Sequence, residues 1–247
     1  MELLVSVRSG AEVTAALAGG ADVIDAKEPA HGSLGPVAPE VLSEILGEVP
    51  GDQPFSLALG DFVDPDAVLA AISSRRMTAK SAPLYMKLGF AGVSAPARLE
   101  TMIATAVAAS HRHQASPLII VVAYADAARA ATASPDIIRQ LAADGGAAGV
   151  LLDTCVKDGR GLLGWMDQPA LERWVECGKA AGLLTAVAGE LKLEDMDLVE
   201  LAGPDVVGVR GAACDGGRDG RVNASRVRAL RERAALNSGS IQGGHLP

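Results

Sequence analysis

Gly19-Gly20-Ala21-Asp22-Val23-Ile24-Asp25-Ala26-Lys27 reads as the end of one helix, a strand, and the start of the loop beyond it. Paired glycines suit a left-handed helix end. The run 22–26, with Val23 and Ile24 at its centre, suits a strand. Upstream, 3–7 is a second apolar run and 11–18 an Ala-rich segment of helix length, so the residues up to Lys27 already spell strand, helix, strand. The pattern continues to the far end of the chain. Strands are expected at 3–7, 22–26, 55–59, 84–88, 118–124, 149–154, 184–188 and 206–209, and helices at 11–18, 39–46, 64–75, 97–111, 135–143, 169–181, 193–201 and 225–235. Pro65 after Asp64, Pro135 after Ser134, and Asn223 ahead of the last helix mark helix starts. Gly145-Gly146 and Gly182 mark helix ends. Eight βα units point to an α/β protein made of a single (β/α)8 TIM barrel over 1–236. An open doubly wound sheet is the alternative. The Gly/Ser-rich stretch 237–247 is expected to be a flexible tail.

A length of 247 residues suits one such barrel, although it also allows two small domains. Apolar residues make up 49% and charged ones 21%, enough to bury a large core. The formal net charge of −8 argues against nucleic-acid or anionic-membrane partners, so an anionic substrate needs a local basic site. Without a basic leader or an apolar run of spanning length, a cytoplasmic location is expected. Cys155, Cys177 and Cys214 form no zinc-like spacing, and His31, His111, His113 and His245 none either, so no metal is expected. The run 215–220 lacks the acidic spacing of a calcium loop and reads as a turn. Cys155 lacks an identifiable His partner for nucleophilic work. The oligomeric state is open, a homo-oligomer included.

Six lysines stand against sixteen arginines, so lysine is not this chain's routine surface charge. Lys27 follows the second strand, Lys87 closes the fourth and Lys157 lies just past the sixth, at the end of a barrel where active sites form. Residues two apart on a strand share a face, so Asp25 points with Lys27, Tyr85 with Lys87, and Leu151 with Asp153. One reading is a set of Asp–Lys salt bridges closing the barrel top. The other is imine chemistry: cations gathered in a partly dry mouth lower one another's pKa and leave neutral amine for attack on a carbonyl, with carboxylates nearby to move protons. Phosphate sites in barrels favour the loops after strands seven and eight. Here those loops hold Gly189, Glu190 and Leu191, then Arg210, Gly211 and Ala212, with small residues for backbone approach and Arg210 for charge. The turn-rich loop from Lys27 through Ser33 to Gly35 is a third candidate for wrapping a ligand.

The blocks Leu3-Leu4-Val5-Ser6-Val7, Gly19 to Lys27, Pro29, Gly32-Ser33-Leu34-Gly35, Leu151-Leu152-Asp153-Thr154 and Lys157-Asp158-Gly159, with Gly189-Glu190-Leu191 and Val209-Arg210-Gly211 behind them, run the length of the chain. In combination they resemble the (5-formylfuran-3-yl)methyl phosphate synthase family. The resemblance implies a barrel lyase of methanofuran biosynthesis, found in methanogens and in bacteria that use a related cofactor in one-carbon metabolism. It implies condensation of two glyceraldehyde 3-phosphates into the furan aldehyde phosphate, with loss of phosphate and water and without a cofactor. By the family pattern Lys27 is the Schiff-base residue and Lys87 the proton acceptor, while Asp25, Asp153 and Lys157 fall on further polar site positions. In that scheme the enamine formed on Lys27 attacks the aldehyde of the second triose phosphate. Glu28 stands where the archaeal form has Asn, and Cys155-Val156 separates Thr154 from Lys157. Rival readings are a class I aldolase or phosphosugar isomerase on the same barrel, and a barrel that binds sugar phosphate without catalysis.

Overall fold

A computed structural model describes residues 1–77 and 81–235, and the expected tail 237–247 lies outside them. Strands β1 (Glu2–Val7), β2 (Val23–Ala26), β3 (Phe55–Asp61), β4 (Leu84–Gly89), β5 (Leu118–Tyr124), β6 (Gly149–Asp153), β7 (Leu184–Val187) and β8 (Val206–Val209) form a closed parallel barrel in chain order. The seam is β8 on β1, with Glu2 opposite Val206 and Val5 opposite Val209, which excludes an open sheet. Helices α1 (Gly10–Ala18), α2 (Pro39–Glu48), α3 (Pro65–Ser73), α4 (Pro96–Arg112), α5 (Pro135–Asp144), α6 (Gln168–Ala180), α7 (Met196–Ala202) and α8 (Ala224–Ala235) follow the strands in turn. No described helix is long and apolar enough to cross a membrane.

Strand alternation divides the apolar residues between two cores. Leu3, Val5, Ile24, Leu57 and Met86 pack outward against helix residues such as Val13, Ile45, Val68, Leu99 and Trp174. Fully burying each Val, Leu or Ile contributes about 1.5–3 kcal/mol, so this outer shell is the main source of stability. The inner core is smaller and built around Ala58, Ile120, Val122, Leu151, Ala186 and Val206. Small residues leave part of the barrel interior unfilled, and the end at which the strands finish opens into that space.

Helix starts follow the sequence signals. Asp64 accepts from the N–H of Asp66, Ser134 from Ile137, and Asn223 from Ser225 and Arg226. The expected helix 64–75 stops at Ser73, and 193–201 divides into a 3-10 turn, Leu193–Asp195, followed by α7, with Asp195 accepting from the N–H of Lys192. A bulge between Ala58 and Gly60 shifts the register of β3, so that Asp61 lies opposite Gly89 on the face that carries Lys87. The expectation of a turn at 215–220 resolves into a small antiparallel hairpin between β8 and α8, β9 (Cys214–Asp215) on β10 (Arg221–Val222).

Two glycines measure how tightly the helix ring is packed. A Cβ on Gly19, at the end of α1, would lie 2.4 Å from Val227 Cβ and 2.7 Å from the Ala224 carbonyl oxygen, whereas one on Gly47 in α2 would meet nothing within 4 Å. Gly19→Ala should therefore lower unfolding free energy by about 1–3 kcal/mol. Gly47→Ala should raise it by roughly 0.5–1 kcal/mol. Urea melts read both signs, and equal effects would contradict this packing of α1 on α8.

Candidate active site

Lys27 leaves the end of β2 with only 7% of its surface exposed, yet among the described residues its amine has no hydrogen bond or ion pair. Its neighbours are paired with one another. Lys87 Nζ of β4 lies 2.8 Å from Asp25 Oδ1, and Asp25 also accepts from Ser6 Oγ of β1 at 2.8 Å. Across the mouth Lys157 Nζ donates to Asp153 Oδ1 at 2.5 Å and to Thr154 Oγ1 at 3.1 Å, while Asp153 accepts the N–H of Thr154 at 2.7 Å. The backbone N–H groups of Cys155 and Val156 are held by the buried Asp126 carboxylate at 2.6 and 3.0 Å, which bends the β6 loop so that Lys157 returns over its own strand.

These pairings set the protonation states. Burial alone would raise both carboxyls. For Asp25 the charges of Lys87 and Lys27 and the hydrogen bonds from Lys87 and Ser6 overcome it; for Asp153 the charges of Lys157 and Lys27 and the bonds from Lys157 and Thr154 do the same. Both titrate below the ordinary range and stay ionised. Lys27 moves the other way. Burial lowers it, the Asp153 and Asp25 charges raise it, Lys87 and Lys157 lower it, and the net value is about 8. At pH 7 roughly a tenth of a lysine at that value is free amine, a few hundred-fold more than for an ordinary lysine. The amine faces a cavity of about 240 Å³ whose walls include Lys27, Ser56, Lys87, Asp153 and Lys157 and, deeper in the barrel, Leu4, Ile120 and Val206. Among the described residues, Ser56 Oγ is buried there without a hydrogen-bond partner. The cavity thus sets an amine that is partly uncharged at pH 7 between carboxylates and ammonium groups on both sides.

The expected anion loops border the same cavity, which Gly189, Glu190, Leu191, Arg210, Gly211 and Ala212 also line. Among the described residues, the backbone N–H groups of Gly189, Glu190, Leu191, Gly211 and Ala212 donate to no protein acceptor. Gly189 has φ +113, and a Cβ there would lie 3.2 Å from the Thr154 nitrogen and 3.3 Å from Asp153 Oδ1, so only glycine lets the β7 loop pass so close to Asp153. Glu190 is itself left-handed, with φ 53, and both its carboxylate oxygens are 3.2 Å from the N–H of Gly159, which joins the β7 and β6 loops.

Two expected ligand contacts are already engaged within the protein. Ser33 Oγ donates to Tyr124 Oη at 3.2 Å, and Tyr124 in turn donates to Asp61 at 2.9 Å. Burial, then the Asp61 charge, holds the Tyr124 hydroxyl well above its ordinary value, so it remains a neutral donor. Arg210, expected to add charge for phosphate, is 5% exposed and commits all five N–H groups to protein: Glu12 Oε2 at 2.5 Å, Glu12 Oε1 at 3.1 Å, and the carbonyls of Ser6, Arg218 and Gly220 at 3.0, 3.1 and 2.7 Å. It fastens α1, β1 and the hairpin to β8, and has no donor left for a ligand. Cys155 is raised to about 11, by burial first and then by Asp61 and Asp126, and so stays a thiol at neutral pH. Glu12, Asp61, Tyr124 and Asp126 were not singled out by sequence, because each matters through a partner distant in the chain.

A family model described as 4-HFC-P synthase matches residues 3–231. The chain belongs to that family. Relatives named (5-formylfuran-3-yl)methyl phosphate synthase include the protein of Methanosarcina barkeri, 34% identical over 232 residues that cover 93% of this chain and 97% of the relative. The Methanocaldococcus jannaschii protein of that name is 35% identical over 236 residues, covering 94% of this chain and 99% of the relative. Among solved structures, phosphoribosyl anthranilate isomerase from Thermus thermophilus aligns with TM-score 0.57 at 18% identity over 96% of this chain and 99% of that one. A 3-hexulose-6-phosphate synthase aligns with TM-score 0.58 at 17% identity, covering 95% of this chain and all of the other. At those identities the structural likeness speaks for the barrel alone.

The Arg210–Glu12 pair gives a stability test. Glu12→Gln leaves a buried guanidinium without its counter-charge and should cost about 3–5 kcal/mol, seen as a large fall in thermal midpoint. Replacing both partners with apolar residues, Glu12→Leu with Arg210→Met, should recover most of that loss. A Glu12→Gln protein as stable as the parent would mean that the pair is not the fastening described.

Proposed function

We propose that this protein is a Schiff-base lyase that condenses two molecules of glyceraldehyde 3-phosphate into (5-formylfuran-3-yl)methyl phosphate, releasing phosphate and water, as a step of methanofuran-type cofactor synthesis. The observation that supports this most is the unpaired, buried Lys27 amine between two occupied Lys–Asp pairs. The names of the relatives supply the product.

In this reading the Lys27 amine adds to the aldehyde of one triose phosphate, and loss of water gives an iminium. Its positive nitrogen acidifies carbon 2. Lys87, once it has handed its own proton to Asp25 across their 2.8 Å contact, takes the proton from carbon 2. The enamine left behind is nucleophilic at carbon 2. The product's formyl group is most simply the retained aldehyde of the second triose, and this changes the scheme drawn from family resemblance. The second triose loses a proton from carbon 2 and phosphate from carbon 3, which leaves carbon 3 as the end of an alkene conjugated with its aldehyde. Bond formation then joins carbon 2 of the first triose to carbon 3 of the second, instead of attacking the aldehyde. The enol oxygen of the second triose closes on carbon 1 of the first and expels the Lys27 amine, and loss of a second water makes the ring aromatic. All six carbons and the one remaining phosphate are accounted for.

Asp153 and Lys157 face the opposite side of Lys27 and are placed to handle protons on the second triose. The unpaired N–H groups of the β7 and β8 loops suit phosphate oxygens, which is how the barrel holds dianions close to its amine. Aromatisation then makes the overall reaction effectively irreversible.

Glyceraldehyde 3-phosphate supplied alone should give a UV-absorbing furan aldehyde with one inorganic phosphate per furan. Lys27→Ala should abolish both signals above the spontaneous background, and Lys87→Arg, which stays protonated, should lower turnover by about 100-fold or more. Phosphate release without furan would indicate simple elimination, a non-aromatic sugar phosphate an aldolase, and isomerised triose with no phosphate released an isomerase. Any of these from folded protein would overturn the synthase reading.

A further inference from the structure

With Arg210 fully engaged, the cavity has to draw its phosphate-facing charge from elsewhere, and the β9–β10 hairpin supplies a guanidinium. Gly216 and Gly217 have φ +82 and +77, and a Cβ on Gly220 would lie 1.7 Å from the Asp215 carbonyl oxygen, so this tight reversal depends on glycine. The reversal sets Arg218 against the β8 loop: its backbone nitrogen is 3.5 Å from where a Gly211 Cβ would stand. Arg218 lines the cavity together with Lys27, Gly189, Gly211 and Ala212. Its Nη2 donates to the carbonyl of Pro29 at 2.9 Å and to that of Gly32 at 2.7 Å. Among the described residues its Nε and Nη1 have no protein acceptor, and no carboxylate pairs with it.

The two carbonyls belong to the loop that follows Lys27. The N–H of Glu28 meets the Gly35 carbonyl at 2.8 Å and closes 28–35 into a compact loop, inside which Glu28 accepts from the N–H of Ala30. Ser33 fastens one part of this loop to Tyr124, and Arg218 fastens another to the hairpin.

We propose that Arg218 binds a substrate phosphate through its Nε and Nη1 edge, beside the unpaired N–H groups of the β7 and β8 loops, while its Nη2 edge latches loop 28–35 over Lys27. This rests on the reading of phosphorylated aldehydes as substrates. A planar guanidinium serves two sets of acceptors at fixed angles, which an ammonium does not. A bound dianion fixes the orientation of the fork, and an ordered fork holds the two loop carbonyls, so phosphate binding and ordering of the loop beside the nucleophile are one event. Arg218 is thus a specificity and positioning residue: an aldehyde without phosphate reaches Lys27 but does not steady the latch that Nη2 already makes.

Calorimetric titration with inorganic phosphate and hydrogen exchange of the 28–35 amides, on the parent, Arg218→Gln and Arg218→Lys proteins, test this. In the parent, phosphate should bind and slow exchange in the loop. In Arg218→Gln, phosphate affinity should fall about 10- to 100-fold and the loop should lose its response, with the KM for glyceraldehyde 3-phosphate raised more than kcat is lowered. Borohydride should still trap unphosphorylated glyceraldehyde on Lys27 in that variant, which verifies a folded site. Arg218→Lys should recover part of the affinity without loop protection. Arg218→Gln protein that binds phosphate like the parent, or a parent loop indifferent to phosphate, would overturn the assignment of Arg218 alone. A parent protein that binds neither phosphate nor glyceraldehyde 3-phosphate and forms no adduct would overturn the functional reading along with it.

Discussion

Two ion pairs, Lys87 with Asp25 and Lys157 with Asp153, determine what the third lysine of the mouth is able to do. Three ammonium groups and two carboxylates share one small, mostly closed space. If each carboxylate were shared among all three, none of the amines would be set apart. Instead each carboxylate is committed by geometry, Asp25 further tied by Ser6 and Asp153 by the N–H of Thr154, and Lys27 is left desolvated without a direct partner among the described residues. The salt bridges that the sequence suggested are present, and in the proposed reading they are what leaves the remaining amine available to a carbonyl.

The rest of the chain serves that arrangement. Parallel strands place β1, β2, β4 and β6 so that their last inward side chains converge, and the closed ring prevents the spacing from relaxing. Small inward residues such as Ser6, Ser56, Ala58 and Ala186 leave the space beside the amine. The large apolar residues lie outside the ring, between strands and helices, where packing stabilises the fold without filling the site. Loops tied to one another by Glu190, Asp126 and Arg218 complete the mouth.

Much of this was legible in the sequence because it depends on local rules. Strand and helix periodicity gave the eight units, helix caps at Asp64, Ser134 and Asn223 gave the boundaries, and alternation along β2 put Asp25 and Lys27 on one face. What alternation does not carry is pairing across the barrel. Arg210 lies in a loop suited to phosphate, but its partner Glu12 is 198 residues away in sequence, and nothing local to Arg210 announces that its donors are taken. The converse holds for Arg218, which sits in a run that reads as a turn and reaches the cavity only because three nearby glycines fold the hairpin back on itself. The Ser33–Tyr124–Asp61 chain depends on a bulge in β3, a register change that the side-chain pattern of that strand does not signal.

The direct measure of the central claim is the titration of Lys27 itself. Competitive acetylation at trace reagent over a range of pH, with each lysine peptide quantified by mass spectrometry, gives the midpoint of that single amine in the folded protein. A midpoint near 8 is expected, moving upward when Lys87 is replaced by Met and its positive charge removed. A Lys27 that titrates near 10.5, as an ordinary lysine does, would mean that the two ion pairs do not set it apart, and the assignment of this residue as the nucleophile would fail.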